Sequence, residues 1–140
     1  MVSRMRKESF PCLSWLVWLG FVLAWTMGLL TSYPIKFGTA VLPLVITFLA
    51  AKGLHVAAYA LWVVLTGLLR FSIRFRWGLL AFIALHALAT EFLQQLVRYR
   101  HPSWRDVVLD FLGISLGMTL SWQKWRASFE TAVPGNQPGN

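Results

Sequence analysis

From Ser9 to Ile35 not one side chain carries a charge. The densest part, Leu13 to Leu30, reaches about 27 Å as a helix at 1.5 Å per residue, which matches a ~30 Å hydrocarbon core. Three more apolar runs follow. Gly53 to Leu69 lies between Lys52 and Arg70, Trp77 to Val97 is interrupted only by Glu91, and Asp106 to Trp122 carries Asp106 and Asp110. The 140-residue chain is 57% apolar and 13% charged, whereas soluble domains are about a quarter charged. This excludes a disordered chain, a disulfide-stapled secreted domain and an ordinary cytosolic enzyme. It predicts an all-α, four-helix transmembrane bundle. One domain is expected over 1–130, with spans near 13–30, 53–69, 77–97 and 106–122, and a disordered tail over 131–140.

The basic start and first apolar run also suggest a signal peptide. The run is longer than a typical signal core, and no A-x-A-like cleavage site follows it, so an uncleaved first helix is expected. Residues 37–51 are short for a span and run into Lys52 with no room for a hairpin. They are expected to form an extra interfacial or re-entrant segment before helix 2, or that helix's outer extension starting at Pro43. The single cysteine, Cys12, excludes an internal disulfide and a cysteine-based zinc site.

The net charge is +8. The basic residues lie between apolar runs rather than along one stripe, so they read as topology signals and not as a nucleic-acid surface. With the N-terminus inside, eight fall in inner segments: Arg4, Arg6, Lys7, Arg70, Arg74, Arg76, Lys124 and Arg126. Five fall in outer segments: Lys36, Lys52, Arg98, Arg100 and Arg105. The excess predicts both termini on the cytoplasmic side of the membrane.

Polar residues inside the spans are costly, so their placement points to function. Lys52, His55 and Tyr59 are spaced by three and four, which puts them on one helical stripe. Glu91, Gln94 and Arg98 repeat that spacing on helix 3. Asp106 and Asp110 share a face of helix 4 with Gly113 and Gly117, whose G-x-x-x-G pattern permits close helix packing. With alternating topology all three stripes end at the outer leaflet, beneath a loop bearing Arg98, Arg100, His101 and Arg105. A shared cavity is expected there, lined by His55, Tyr59, Glu91, Gln94, Arg100, Asp106 and Asp110. Simpler roles stand beside this one. Lys52 and Arg98 are also placed to snorkel, Asp106 to cap helix 4, and His55 to be a packed, hydrogen-bonded histidine. His86, on the face away from Glu91, is expected to hydrogen-bond between helices, outside the site. Glu91 lies about 10 Å below Arg98 along its helix. At that depth it needs a cation, a proton or a substrate, and Arg100 is the expected partner.

Lys52-x-x-His55-x-x-x-Tyr59 resembles the K-x-x-H-x-x-x-Y segment of the VanZ-like membrane proteins. Glu91-x-x-Gln94, Arg100-x-x-Ser103-x-x-Asp106, Asp110, Gly113 and Gly117 resemble that family's second block. The resemblance covers about residues 48–120. Ala51 stands where the family usually has Asp, and Asp110 where it usually has Asn. The resemblance implies a small multi-pass protein of bacterial membranes, in a family whose founding member is linked to teicoplanin resistance.

The expected function is binding or modification of a cell-envelope ligand, lipid-linked or anionic, in an outward-facing polar pocket. Lys52, His55, Tyr59, Glu91, Gln94, Arg100, Asp106 and Asp110 are the ligand-binding candidates. The expected partners are membrane lipid and a lipid-linked cell-wall precursor, with an oligomer as an option and no nucleic acid. The alternatives are an intramembrane enzyme acting on a lipid head group, with Glu91 or His55 as base, and a small proton-coupled carrier. No nucleophile elbow, H-E-x-x-H or phosphate loop is present, and no cofactor or resident metal is expected.

Overall fold

The computed structural model describes residues 2–31, 38, 40–41, 43–69, 71–96 and 103–130. Among them the chain forms four long helices and no strand: α1 (Val2–Leu30), α2 (Leu44–Leu68), α3 (Ile73–Gln94) and α4 (Trp104–Glu130). Among the described residues three stretches are long and apolar enough to cross a membrane: Leu13–Leu30, Leu44–Leu68 and Ile73–Gln94. This is a membrane protein. The predicted tail, 131–140, lies outside the described residues.

Burial is distributed as a bilayer demands. Leu44, Leu96, Trp104 and Leu120 face outward, whereas His55, Glu91, Gln94, Asp106 and Asp110 are buried. A helix satisfies its backbone polar groups internally, and several of the buried polar side chains pair between helices, as Asp106 does with Lys52 and His55 with Asp110.

The second helix is longer than the hydropathy boundary at Lys52 suggests. Pro43 occupies its N-cap with φ −53° and ψ 143°, and the Thr47 amide donates to the Pro43 carbonyl at 3.0 Å. Of the alternatives for residues 37–51, positions 44–51 belong to the helix itself. Residues 38, 40 and 41 are also helical. Lys52 is therefore inside α2, not at its start.

Between α2 and α3, Leu69 and Ser72 are extended, with ψ of 136° and 148°. Ser72 caps α3 by accepting from the Phe75 amide at 3.4 Å. Arg74 and Arg76, counted above in an inner segment outside the spans, lie in the first turns of α3. Arg76 is buried, and its guanidinium donates to the Leu69 carbonyl at 2.5 Å and the Lys124 carbonyl at 3.0 Å. It thus ties the carbonyl just past the end of α2 to the backbone of α4.

The helices alternate in direction. Trp18 of α1 meets Thr66 of α2, and Thr26 meets His86 of α3. Hence α1 runs antiparallel to α2 and parallel to α3. Helices α2 and α4 share the most extensive contact in the bundle and run parallel, from the Lys52–Asp106 ion pair to the contact of Gly67 with Trp125. Two α4 glycines set their spacing. A Cβ at Gly113 would sit 2.5 Å from the Val56 carbonyl oxygen, and one at Gly117 2.5 Å from that of Ala60. The core between α1, α2 and α3 is aromatic, built around Trp18, Tyr59, Trp62 and Ile83.

Candidate functional site

Six polar links between neighbouring elements gather toward the end of the bundle formed by the α1 and α3 C-termini and the α2 and α4 N-termini. At the rim, Lys52 of α2 forms an ion pair with Asp106 of α4. One turn deeper, His55 Nδ1 stands 2.8 Å from Asp110 Oδ1. With the carboxylate ionised it only accepts, so the ring Nδ1–H is the donor of this bond. Asp110 is 1% exposed, and a carboxylate so deep requires such a partner.

Glu91 has a backbone partner that side-chain spacing does not suggest. Its Oε1 accepts from the backbone amide of Ser103. Ser103 stands just before α4, where its Oγ accepts from the Arg105 amide at 3.3 Å and its carbonyl from the Asp106 amide at 2.7 Å. Ser103, rather than Asp106, is the helix cap. In a capping box the N3 acid takes the N-cap amide. Here Asp106 occupies N3 but turns to Lys52, and Glu91 reaches across from α3 to take that amide. A negative charge also suits the positive end of the helix dipole. Arg100, the expected partner, lies outside the described residues, as do Arg98 and His101.

Gln94 Nε2 donates to the Leu29 carbonyl of α1 at 3.3 Å. Below it, Tyr59 Oη is 3.0 Å from His86 Nδ1, and His86 Nε2 is 2.9 Å from Thr26 Oγ1. Thr26 spends its own proton on the Val22 carbonyl at 2.7 Å. It must therefore accept from His86 Nε2–H, so His86 Nδ1 accepts from the Tyr59 hydroxyl. His86 is the interhelical residue expected, and it is also bonded to Tyr59 of the candidate stripe. Trp25 packs edge-on against both His55 and Tyr59, with ring centroids 5.7 Å and 6.2 Å away.

These groups are paired across helix interfaces more than they converge on one space. A cavity of about 290 Å³ opens between α3 and α4, lined by Glu91, Gln95 and Ser103 with Leu88, Phe92, Trp104 and Val107. On the other side of Trp104 a shallow groove runs over Phe48, Lys52, Arg105, Val108 and Leu109. Of the candidates, Glu91 lines the first and Lys52 the second. His55, Tyr59, Gln94, Asp106 and Asp110 line neither, so these two openings are not the shared cavity expected from the stripes. Among the described residues no group of three or more His, Cys, Asp or Glu side chains is placed to hold a metal ion.

Sequence reasoning missed the Ser103 amide, Thr26 and Trp104. The amide has no side-chain signature. Thr26 looks like any tolerated polar residue in a span. Trp104 carried the one available signal, an aromatic side chain at a helix end next to basic residues.

The chain matches no family model, no curated protein and no solved structure.

Proposed function

We propose that this protein crosses a bacterial inner membrane four times and binds the polar head of a cell-envelope amphiphile at the outer end of its bundle, as a VanZ-like protein. The observation that carries the reading is the cavity beside Glu91. It combines a buried carboxylate with walls of Leu88, Phe92 and Trp104 that are open to the lipid side. A lipid could enter laterally, keep its chains against apolar side chains and turn its head toward Glu91.

Two features support the topology. α4 is less apolar than the others, but it lies parallel to α2 along most of that helix's length and turns Asp106 and Asp110 toward α2, which supports a fourth crossing. Arg74, Arg76, Lys124 and Arg126 gather at the end opposite Lys52 and Arg105, which supports placing that end in the cytoplasm. Involvement in envelope-antibiotic resistance is part of the same proposal, on the strength of the motif resemblance.

The test is mass spectrometry of lipid retained by the full chain purified in mild detergent. A defined amphiphile held by the wild type and lost on Trp104→Ala is expected. Bulk lipid at bulk proportions in both would overturn the reading.

The His55–Asp110 pair favours one second reading. With Nδ1–H fixed on a carboxylate, His55 Nε2 is oriented as a general base, as an enzyme acting on a lipid head group requires. Turnover of a head-group-labelled lipid by the wild type, lost in His55→Gln, is the observation this reading needs. No turnover in the wild type would remove it.

A further inference from the structure

The two ends of the bundle differ in charge. Among the described side chains every acid, Glu91, Asp106 and Asp110, lies at the end that carries Lys52 and Arg105. The opposite end exposes Arg74, Lys124 and Arg126. There α4 is held to its neighbours beyond the apolar core. Trp125 is fully buried, a Cβ at Gly67 of α2 would lie 2.9 Å from its Nε1, and its ring meets that of Trp77 at 5.7 Å. Arg76 also donates to the Lys124 carbonyl at 3.0 Å. Lys124 and Arg126, on either side of Trp125, are therefore carried by a fixed stretch of helix. Two of the exposed cations come with an exposed indole. Arg74 stands three residues before Trp77 on α3 and Arg126 four residues after Trp122 on α4, so each pair shares a helical face. The two tryptophans are 44% and 50% exposed. Because α3 and α4 run in opposite directions, in both pairs the indole lies deeper in the membrane and the guanidinium about 5 Å farther out.

We infer that this end is a binding face for phospholipids of net negative charge in the leaflet it meets, with their phosphates at the level of Arg74, Lys124 and Arg126. The depths fit a phospholipid. Indoles settle in the interfacial layer, and a guanidinium one turn farther out stands at the phosphates, which its planar fork matches as a donor. The sign selects the head group. No acid among the described side chains is there to receive an ammonium, so a zwitterionic head brings a positive charge into a positive field. A phosphatidylglycerol head brings none. The inference rests on the four-crossing topology, which sets this end at a membrane surface, and not on the amphiphile bound at the other end.

The test is tryptophan quenching of the full chain in phosphatidylcholine vesicles, with brominated phosphatidylglycerol or brominated phosphatidylcholine as the quencher. At low salt phosphatidylglycerol should be enriched at the protein about fivefold for each cation that engages it, and the preference should shrink as salt is raised. Arg126→Gln alone should lose about one such factor. Arg74→Gln, Lys124→Gln and Arg126→Gln together should bring the two lipids level, whereas Arg74→Lys with Arg126→Lys should keep most of the preference. All three positions are exposed, so the variants should melt with the wild type. Arg105→Gln, at the other end, should leave the preference unchanged. Equal quenching of the wild type by both lipids, a preference that survives the triple variant, or one that is lost in Arg105→Gln would overturn the binding face. Each of these results leaves the amphiphile reading standing, since that reading is tested by the lipid retained beside Trp104.

Discussion

Replacing Gly117 with alanine should destabilise the bundle even though alanine is the better helix former. An added Cβ would lie 2.5 Å from the Ala60 carbonyl oxygen and 2.8 Å from Val63 Cβ. The first of these contacts is backbone and cannot rotate away. Restoring ordinary contact requires α2 and α4 to part by roughly 1 Å, and overpacking of this kind costs about 1–3 kcal/mol. Against it stands the helix propensity of alanine over glycine, about 1 kcal/mol. Gly53 and Gly78 supply the control, since a Cβ at either would meet nothing within 4 Å. Gly53→Ala and Gly78→Ala should therefore be neutral or slightly stabilising. The difference between Gly117→Ala and these controls isolates the interface, and about 1–3 kcal/mol is expected, on the order of 3–10 °C in Tm for a chain of this size. The assay is thermal unfolding in detergent, read by fluorescence. If Gly117→Ala melts with or above Gly53→Ala, the parallel α2–α4 packing described here is wrong.

Three further outcomes follow from the polar links. Glu91→Ala should lose about 1–3 kcal/mol of stability, because it removes the acceptor of a part-buried amide, whereas Glu91→Gln should lose much less; unfolding of the two variants side by side checks this. A double-mutant cycle on His55→Ala and Asp110→Ala should show coupling of about 0.5–3 kcal/mol between residues in direct contact, and additive effects would contradict the pair. In intact cells carrying Cys12→Ser, a cysteine at position 95 should react with a membrane-impermeant reagent and one at position 74 should not, and the reverse would invert the proposed orientation.

Much of the fold was legible because a bilayer leaves few choices. Charge-free runs of helical length fix the existence of the apolar helices, and the glycine pattern points to a close-packed face. What was not legible depended on contacts between distant positions. Lys52 ends an apolar run and so looks like a helix boundary. Its partner Asp106 makes it an interior residue of α2, and nothing local announces that pairing. Arg76 looks like a loop cation. It is buried because carbonyls of α2 and α4 converge on it. Glu91 was marked as needing a partner, and the structure supplies a backbone amide at a helix cap, invisible to any argument from side chains. The three-and-four spacing put Lys52, His55 and Tyr59 on one stripe, but spacing alone does not say whether a stripe lines an opening or pairs with its neighbour.

The central claim is that a lipid head group docks at the outer end of α3 and α4. Photo-crosslinking of the membrane-embedded wild type with a phospholipid bearing a diazirine at its head group, mapped by peptide mass spectrometry, tests it most directly. The account predicts adducts concentrated on the peptides around Phe92, Gln95 and Trp104 and strongly reduced in Glu91→Gln. Adducts spread evenly over the outward leucines of α1, or unchanged by Glu91→Gln, would contradict it.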